Sequence, residues 1–217
     1  EATAKRIELD LTHLFTFGMS AATYTNMDGE TVSTKSADGQ NIFDTDHTLT
    51  SGTTTLGNLI TTAFSRAGLE EAENKFNTFT DDNDNIILVE PDTIITGRNV
   101  TIQNSVKEFL KSTLIPDEAN NATNVYSGKY KHLVLPFLST DLNGGPTSSY
   151  DNYWMLADLK HTDAICEISE NPTFTAPSAG GNGEVFETDD WKFKSSACYD
   201  YGVLDYKWIV GSTGATS

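Results

Sequence analysis

The chain has 217 residues, with 31 acidic and 14 basic side chains and a formal net charge of −17 at pH 7. A chain of this length can bury a sizeable core in one domain or two lobes. Its acidity argues against sequence-specific nucleic-acid binding, because carboxylates and phosphates repel each other, although solubility alone explains the charge equally well. Hydrophobic residues make up 37% of the chain and aromatic residues 10%, so the composition is not that of a disordered protein. The sequence shows neither a bilayer-spanning apolar run nor a signal-peptide pattern.

The first predicted elements are helical. Residues 5–24 predict a long helix, because apolar residues recur at the spacing of one buried stripe. The stripe consists of Ile7, Leu11, Leu14, Phe15, Gly18 and Ala22. His13 lies off this stripe, so we expect it to face solvent or a neighbour. Residues 26–55 predict mostly loop, with one hairpin as an option. Residues 59–79 predict helix that Gly68 breaks or bends, as two short helices or one kinked helix.

An acidic turn precedes a short apolar run in the middle of the chain. Residues 81–85, with the sequence DDNDN, resemble the start of an EF-hand calcium loop. Ile86 and Asp92 stand where that loop needs Gly and Glu, so a plain turn is the favoured interpretation. The apolar run over residues 86–89 predicts a buried strand.

The next segments alternate between helix and strand without a regular order. Ser105 and Glu108 fit a capping box, which predicts a short helix through Leu110. Residues 132–138 predict a strand, and Pro136 within it indicates a sheet edge or a bulge. Further strands are predicted over residues 153–157 and 164–169, with loops over residues 141–152 and 171–183. Irregularly mixed helices and strands are typical of the α+β class.

The C-terminal residues 189–214 are aromatic and strand-like. Trp191, Phe193, Ser195 and Ala197 alternate with more polar residues, which predicts a strand with one buried face. Gly202 suggests a bulge or bend. A second run then places Leu204, Tyr206, Trp208 and Val210 on one face. The residues predicted to pack in the core are Trp154, Trp191, Phe193, Tyr206 and Trp208.

Residues that could carry chemistry do not form a recognisable motif. The four histidines lack zinc-ligand spacing, and His47, near Asp44 and Asp46, is better explained as a satisfied loop residue than as a ligand or base. Cys166 and Cys198 both lie in strand-like runs. A bridge between them is geometrically possible, but buried free thiols are the favoured interpretation. The sequence contains neither a nucleophile elbow nor a phosphate-binding loop, so we predict no catalytic, cofactor-binding or metal-binding residues and no enzymatic activity.

Several segments, taken in order, resemble one protein family. They are YTNMDG at 24–29, DGQNIFDTDH at 38–47, EPDTII at 90–95, residues 130–138, YWMLAD at 153–158, and the tryptophan-led ending that closes with Gly-Ser-x-Gly. Together they resemble the major capsid proteins of tailed bacteriophages, and the Mu-type capsid proteins most of all. The resemblance covers nearly the whole chain and depends on the shared order of motifs that are individually weak.

The resemblance implies the Hong-Kong-phage (Johnson) capsid fold. This fold has a long spine helix, a peripheral domain of long strands, and an axial domain with a mixed sheet flanked by short helices. The implied division is 1–58 for the spine helix and the start of the peripheral domain, 59–160 mainly for the axial domain, 161–200 for peripheral strands, and 201–217 for a return to the axial domain. The family also places an N-terminal arm and an extended loop before the spine helix, so we expect the gene product to be longer than this chain.

The implied function is that of a structural subunit of an icosahedral capsid. Copies of the chain would form pentamers and hexamers around a packaged double-stranded DNA genome, in a virion assembled in the bacterial cytoplasm. Scaffold, portal and decoration proteins are further candidate partners, and no membrane or cofactor is implied. The alternatives are an encapsulin-type nanocompartment shell and, in a different class, a secreted acidic hydrolase or adhesin domain.

Overall fold

The computed structural model describes residues 2–48, 55–115, 122–176 and 193–215. The helices are α1 (Ala2–Gly18), α2 (Arg66–Thr78) and α3 (Val100–Lys111). The strands are β1 (Thr23–Thr25), β2 (Thr31–Ser33), β3 (His47–Thr48), β4 (Thr55–Leu56), β5 (Leu59–Thr62), β6 (Thr93–Thr96), β7 (Lys131–Val134), β8 (Trp154–Ala157), β9 (Ala164–Thr175), β10 (Lys194–Val203) and β11 (Ile209–Ala215). This mixture confirms the predicted α+β class.

A five-stranded mixed sheet in the order β5-β11-β8-β6-β7 forms the centre of the fold. The β5–β11 and β6–β7 pairs are parallel, whereas β11–β8 and β8–β6 are antiparallel. Every residue of β6 and β8 is buried, as expected for strands covered on both faces. The strand β7 lies at one edge of this sheet. The prediction of a strand over residues 132–138 was wrong in length, since β7 ends at Val134 and Pro136 lies in the turn that follows, but the predicted edge position is confirmed.

The two faces of the sheet carry separate cores, because successive side chains of a strand point to opposite faces. Ile94 and Leu156 are register partners and face α2 and α3, where they belong to one buried cluster. Ile95 and Met155 are the next pair and belong to a second cluster that includes Leu14 of α1. The sheet is therefore a middle layer between helices.

The first helix is shorter at its C-terminal end than predicted. It ends at Gly18, and Tyr24 lies in β1, opposite Val32 of β2. Thr and Tyr favour strand over helix, which explains why residues 23–25 pair with a neighbour instead of extending the helix. The prediction that His13 faces solvent or a neighbour was wrong, since its side chain is only 1% exposed.

The stretch over residues 59–79 is not one interrupted helix. It begins with strand β5, and α2 then starts after its N-cap Ser65, whose hydroxyl accepts a hydrogen bond from the Gly68 amide. Gly68 neither breaks nor bends this helix. A Cβ at this position would lie 2.6 Å from the Ala63 carbonyl oxygen and 3.3 Å from the Trp154 ring, so glycine permits close packing here.

Several other boundaries also differ from prediction. Strand β9 runs to Thr175, so the prediction of a loop over residues 171–183 was wrong for residues 171–175. The third helix begins after its N-cap Asn99, and the Ser105 hydroxyl donates within the helix to the Thr101 carbonyl. The capping-box prediction was therefore wrong about where the helix starts. Gly202 does not bend its strand, because β10 continues to Val203 and the irregular pairing occurs earlier, between residues 196 and 199.

Candidate functional surface

The strands β9 and β10 form an antiparallel two-stranded ribbon that is separate from the central sheet. All 12 residues of β9 are exposed. The exposed residues include large apolar side chains: Ile165 and Ile168 are 53% and 46% exposed, and Phe174 is 70% exposed. An isolated two-stranded hairpin is at best marginally stable in water. Covering the exposed apolar side chains of this ribbon would therefore stabilise it.

The far end of the ribbon carries an aromatic pair. Phe174 of β9 stacks on Phe193, with ring centroids 5.8 Å apart and planes 13° apart. Phe193 is 60% exposed. The prediction that Phe193 packs in the core was therefore wrong for the single chain, because residue 174, its nearest aromatic contact, lies on the same open ribbon.

A buried carboxylate on α1 anchors the other end of the ribbon. Asp10 is 3% exposed. It pairs with Arg6 at 2.9 Å and accepts a hydrogen bond from the Tyr199 hydroxyl. The hydroxyls of Tyr24 and Tyr201 lie 3.1 Å apart. Burial raises the pKa of Tyr199 and Tyr201, and the hydrogen bonds and nearby acidic charge add to that effect. Both phenols therefore remain protonated at neutral pH. Tyr199 holds the ribbon against α1, and Tyr201 contacts Tyr24 of β1.

An acidic cleft of about 520 Å³ lies between this anchor and the β1–β2 hairpin. Its lining includes the carboxylates of Asp10, Asp28, Glu30 and Asp200. Within the described residues, no group of three or more His, Cys, Asp or Glu side chains is arranged to hold a metal ion.

The two cysteines are exposed free thiols on neighbouring strands, so the expectation that they are buried was wrong. In the antiparallel register, Cys166 lies opposite Tyr201, and Cys198 lies opposite Glu170. This offset prevents a bridge, because disulfide geometry needs directly facing Cβ atoms. The ribbon therefore carries two separate thiols.

His47 is a buried structural residue. Its Nδ1 lies 2.6 Å from Asp38 Oδ2, its Nε2 lies 3.1 Å from Asn58 Oδ1, and its ring stacks on Tyr206 at 3.5 Å. Asn58 Nδ2 donates to the carbonyls of Ile42 and Ile209, which directs its own carbonyl toward His47. Both ring nitrogens thus have protein partners, and the interpretation as a satisfied histidine fits better than a ligand or base. The cluster ties the loop before β5 to the C-terminal strand.

Three of the aromatic residues predicted to lie in the core are buried. Trp154, Tyr206 and Trp208 are 0%, 4% and 5% exposed, respectively, as the sequence predicts. Trp154 also donates from Nε1 to the Thr62 carbonyl at 3.1 Å. Trp191 lies outside the described residues. The sequence does not predict the Asp10 anchor. Its only signal there is an acidic residue that lies between Leu9 and Leu11 in the predicted helix.

No family model matches this chain, and no curated protein matches it. Among the described residues, none of the helices has the length and apolarity needed to cross a membrane.

Proposed function

We propose that this chain is a structural subunit of an icosahedral viral capsid, self-assembling into pentamers and hexamers that enclose double-stranded DNA. The observation that carries the proposal is the β9–β10 ribbon, whose apolar residues Ile165, Ile168 and Phe174 are exposed in the single chain. Such a surface is costly to leave in water. In a shell, neighbouring copies would cover it.

The layout of elements supports the same function. A long helix, α1, packs against the ribbon through Asp10 and Tyr199, as expected for a spine helix and the long strands of a peripheral domain. A mixed sheet with α2 and α3 on one face corresponds to the expected axial domain. The C-terminal strand β11 lies between β5 and β8 in that sheet, which fits the predicted return of the chain to the axial domain. We propose the Johnson capsid fold on these grounds.

The acidity of the chain fits a container for DNA. A net charge of −17 gives an inner wall that does not adhere to packed phosphate. The proposal assigns no catalytic role, cofactor or membrane contact to the chain. It places the chain in the virion after assembly in the bacterial cytoplasm, together with scaffold, portal and decoration proteins.

Sedimentation velocity of the full-length gene product at physiological salt tests the proposal. We expect discrete species of capsomer size or larger, because obligate assemblies bury more than about 2,000 Å² per interface. A single monomeric species at high concentration would contradict it. The contents of purified particles separate the two shell functions, since DNA supports a capsid and enclosed enzymes support an encapsulin-type compartment.

A further inference from the structure

Residues 82–90, which we name the acidic segment, begin with a turn over residues 82–84 and continue outside any helix or strand. Their exposure pattern is unusual. Ile86 and Leu88 are 78% and 85% exposed, whereas Ile87 and Val89 pack against the core. The prediction of a buried strand here was wrong: the period of two is present, but one apolar face is open to solvent. Large aliphatic side chains this exposed, side by side, are typical of an interaction surface.

The backbone at the C-terminal end of the acidic segment is also open. Ile87 donates its amide to the Phe79 carbonyl at 3.1 Å, but among the described residues no backbone–backbone hydrogen bond involves Leu88, Val89 or Glu90. Backbone groups that lack protein partners remain available to another chain. Extended segments of this kind commonly dock on the edges of sheets.

A complementary surface lies on the same sheet. Among the described residues, no strand pairs with the outer side of β7. The strand presents Leu133, which is 39% exposed, and Lys131, whose side chain is 77% exposed and lies 3.4 Å from Asp92 in an ion pair. An ion pair this exposed contributes little, so the Lys131 ammonium remains available to a second carboxylate. Helix α3 packs against β7 and carries the exposed Lys107. Burial, and then the charge of Lys107, lower the pKa of His132 on the same strand. We name Lys107, Lys131 and Leu133 the basic edge.

The charges of these two surfaces are opposite. Asp82, Asp84 and Glu90 of the acidic segment are exposed, and the basic edge contributes two exposed lysines. Each surface also offers exposed aliphatic carbon. In a chain with 31 acidic and 14 basic side chains, a positively charged edge is a local exception, and it selects an acidic partner.

We propose that the acidic segment of one copy docks on the basic edge of the next copy, with its carboxylates facing Lys107 and Lys131 and with Ile86 and Leu88 covering Leu133. The proposal rests on the proposed assembly function and names a contact within it. The two surfaces are different, so the contact is head-to-tail, and head-to-tail contacts close into rings when the rotation allows. This is the geometry that a pentamer or hexamer needs.

Charge exchange between the two surfaces provides the test. The acid variant carries Asp84→Lys and Glu90→Lys, and the base variant carries Lys107→Glu and Lys131→Glu. In each variant alone, like charges meet at the contact, so the concentration needed for half-assembly should rise at least about tenfold. The control carries Asp46→Lys and Asp163→Lys, which makes the same change in net charge as the acid variant on other exposed residues. We expect the control to assemble at least as well as the unaltered chain.

Mixing the two variants gives the most specific outcome. The lysines of the acid variant then meet the glutamates of the base variant, so the mixture should assemble into even-numbered rings in which the variants alternate. Simple destabilisation by the substitutions cannot produce that rescue. As a second test without charge change, Ile86→Ser with Leu88→Ser should weaken assembly while thermal unfolding stays unchanged.

The possible failures are distinguishable. If the unaltered full-length chain does not assemble, both the proposed function and this contact are overturned. If the unaltered chain assembles and the acid and base variants assemble equally well, only this contact is overturned. A mixture that stays unassembled while each variant alone is folded and defective also overturns the pairing of these two surfaces.

Discussion

His13 Nε2 lies 3.0 Å from Thr140 Oγ1, although the two residues are 127 positions apart in sequence. The contact joins α1 to the loop after β7, and the histidine ring is enclosed by Phe17 and Tyr24 at centroid distances of 5.1 and 6.4 Å. Burial lowers the pKa of His13 from 6.5 to about 4, against an opposing effect of Asp10. The folded protein therefore holds this side chain neutral.

The first prediction follows from this shift in pKa. An unfolded histidine takes up a proton below about pH 6.5, whereas folded His13 does so only below about pH 4. Between these values the unfolded state binds more protons, so the contribution of His13 is fully present above pH 6.5 and is lost as the pH falls toward 4. The free energy of unfolding should fall by roughly 3 kcal/mol over that range, at about 1.4 kcal/mol per pH unit. Denaturant melts of the unassembled subunit measure it.

A matched variant isolates the residue responsible. His13→Gln keeps a polar group near Thr140 but does not titrate, so the decline in stability between pH 6.5 and 4 should become shallower. Burial and the charge of Lys107 also lower the pKa of His132. The variant should therefore still lose some stability as the pH falls. Identical slopes for the two proteins would contradict the assignment to His13.

The second prediction distinguishes two buried tryptophans. Truncating Trp154 or Trp208 to Ala should cost about 3–5 kcal/mol, a large part of the typical stability of about 5–15 kcal/mol. Replacement by Phe should separate them. Trp154 Nε1 donates to the Thr62 carbonyl, whereas Trp208 Nε1 is buried with no partner among the described residues. Trp154→Phe should therefore lower stability more than Trp208→Phe, and the reverse order in thermal melts would contradict the packing described.

The third prediction concerns the open ribbon. Phe174→Ser with Phe193→Ser should reduce assembly strongly and change subunit stability by about 1 kcal/mol or less, because the lost contact is an exposed cross-strand pair. Met27, which is 52% exposed and lies outside the ribbon, provides the control Met27→Ser. Sedimentation measures assembly, and thermal melts measure stability. If the ribbon variant assembles as well as the control, the ribbon is not covered by neighbouring copies.

The fourth prediction concerns salt. Subunits with a net charge of −17 repel one another over a distance set by the Debye length, which falls from about 30 Å at 0.01 M to about 10 Å at 0.1 M. Assembly yield should rise between these ionic strengths, since ion pairs in contact are screened less than the long-range repulsion. A falling yield would contradict this and would show that direct ion pairs between copies, among them the proposed contacts of Lys107 and Lys131, outweigh the repulsion.

The fifth prediction concerns the thiols. Cys166 and Cys198 are exposed and offset in register. Both should therefore react with a thiol reagent in the folded, unassembled subunit, without denaturant. Mild oxidation should not produce an intramolecular bridge. A subunit that titrates fewer than two thiols before unfolding, or that forms the bridge without losing its fold, would contradict the ribbon register.

An element was predicted correctly from the sequence where its hydrophobic pattern fits only one type of secondary structure. Strand β8 is a short apolar run, and its prediction over residues 153–157 is close to the observed Trp154–Ala157. The stretch over residues 59–79 failed because β5 also carries apolar residues at a spacing that fits a helix, and only the neighbouring strand β11 decides between the two. Local periodicity cannot distinguish these cases when a segment is short.

The functional surface was less predictable than the fold. Phe193 and Ile86 are apolar residues in strand-like runs, and the usual expectation for such residues is burial. Both are exposed here, because no part of the chain that the structure describes covers them. Likewise, Asp10 is distant in sequence from Tyr199, and no local pattern indicates that they meet. Exposure and long-range pairing depend on tertiary structure and, in this account, on the assembly.

Cryo-electron microscopy of particles formed by the full-length gene product tests the central claim most directly. The account predicts closed icosahedral shells in which Phe174 and Phe193 lie buried against a neighbouring copy. A preparation that contains only single subunits at high concentration and physiological salt would contradict it. So would shells in which both phenylalanines remain open to solvent, because the exposed ribbon is the observation on which the assembly function rests.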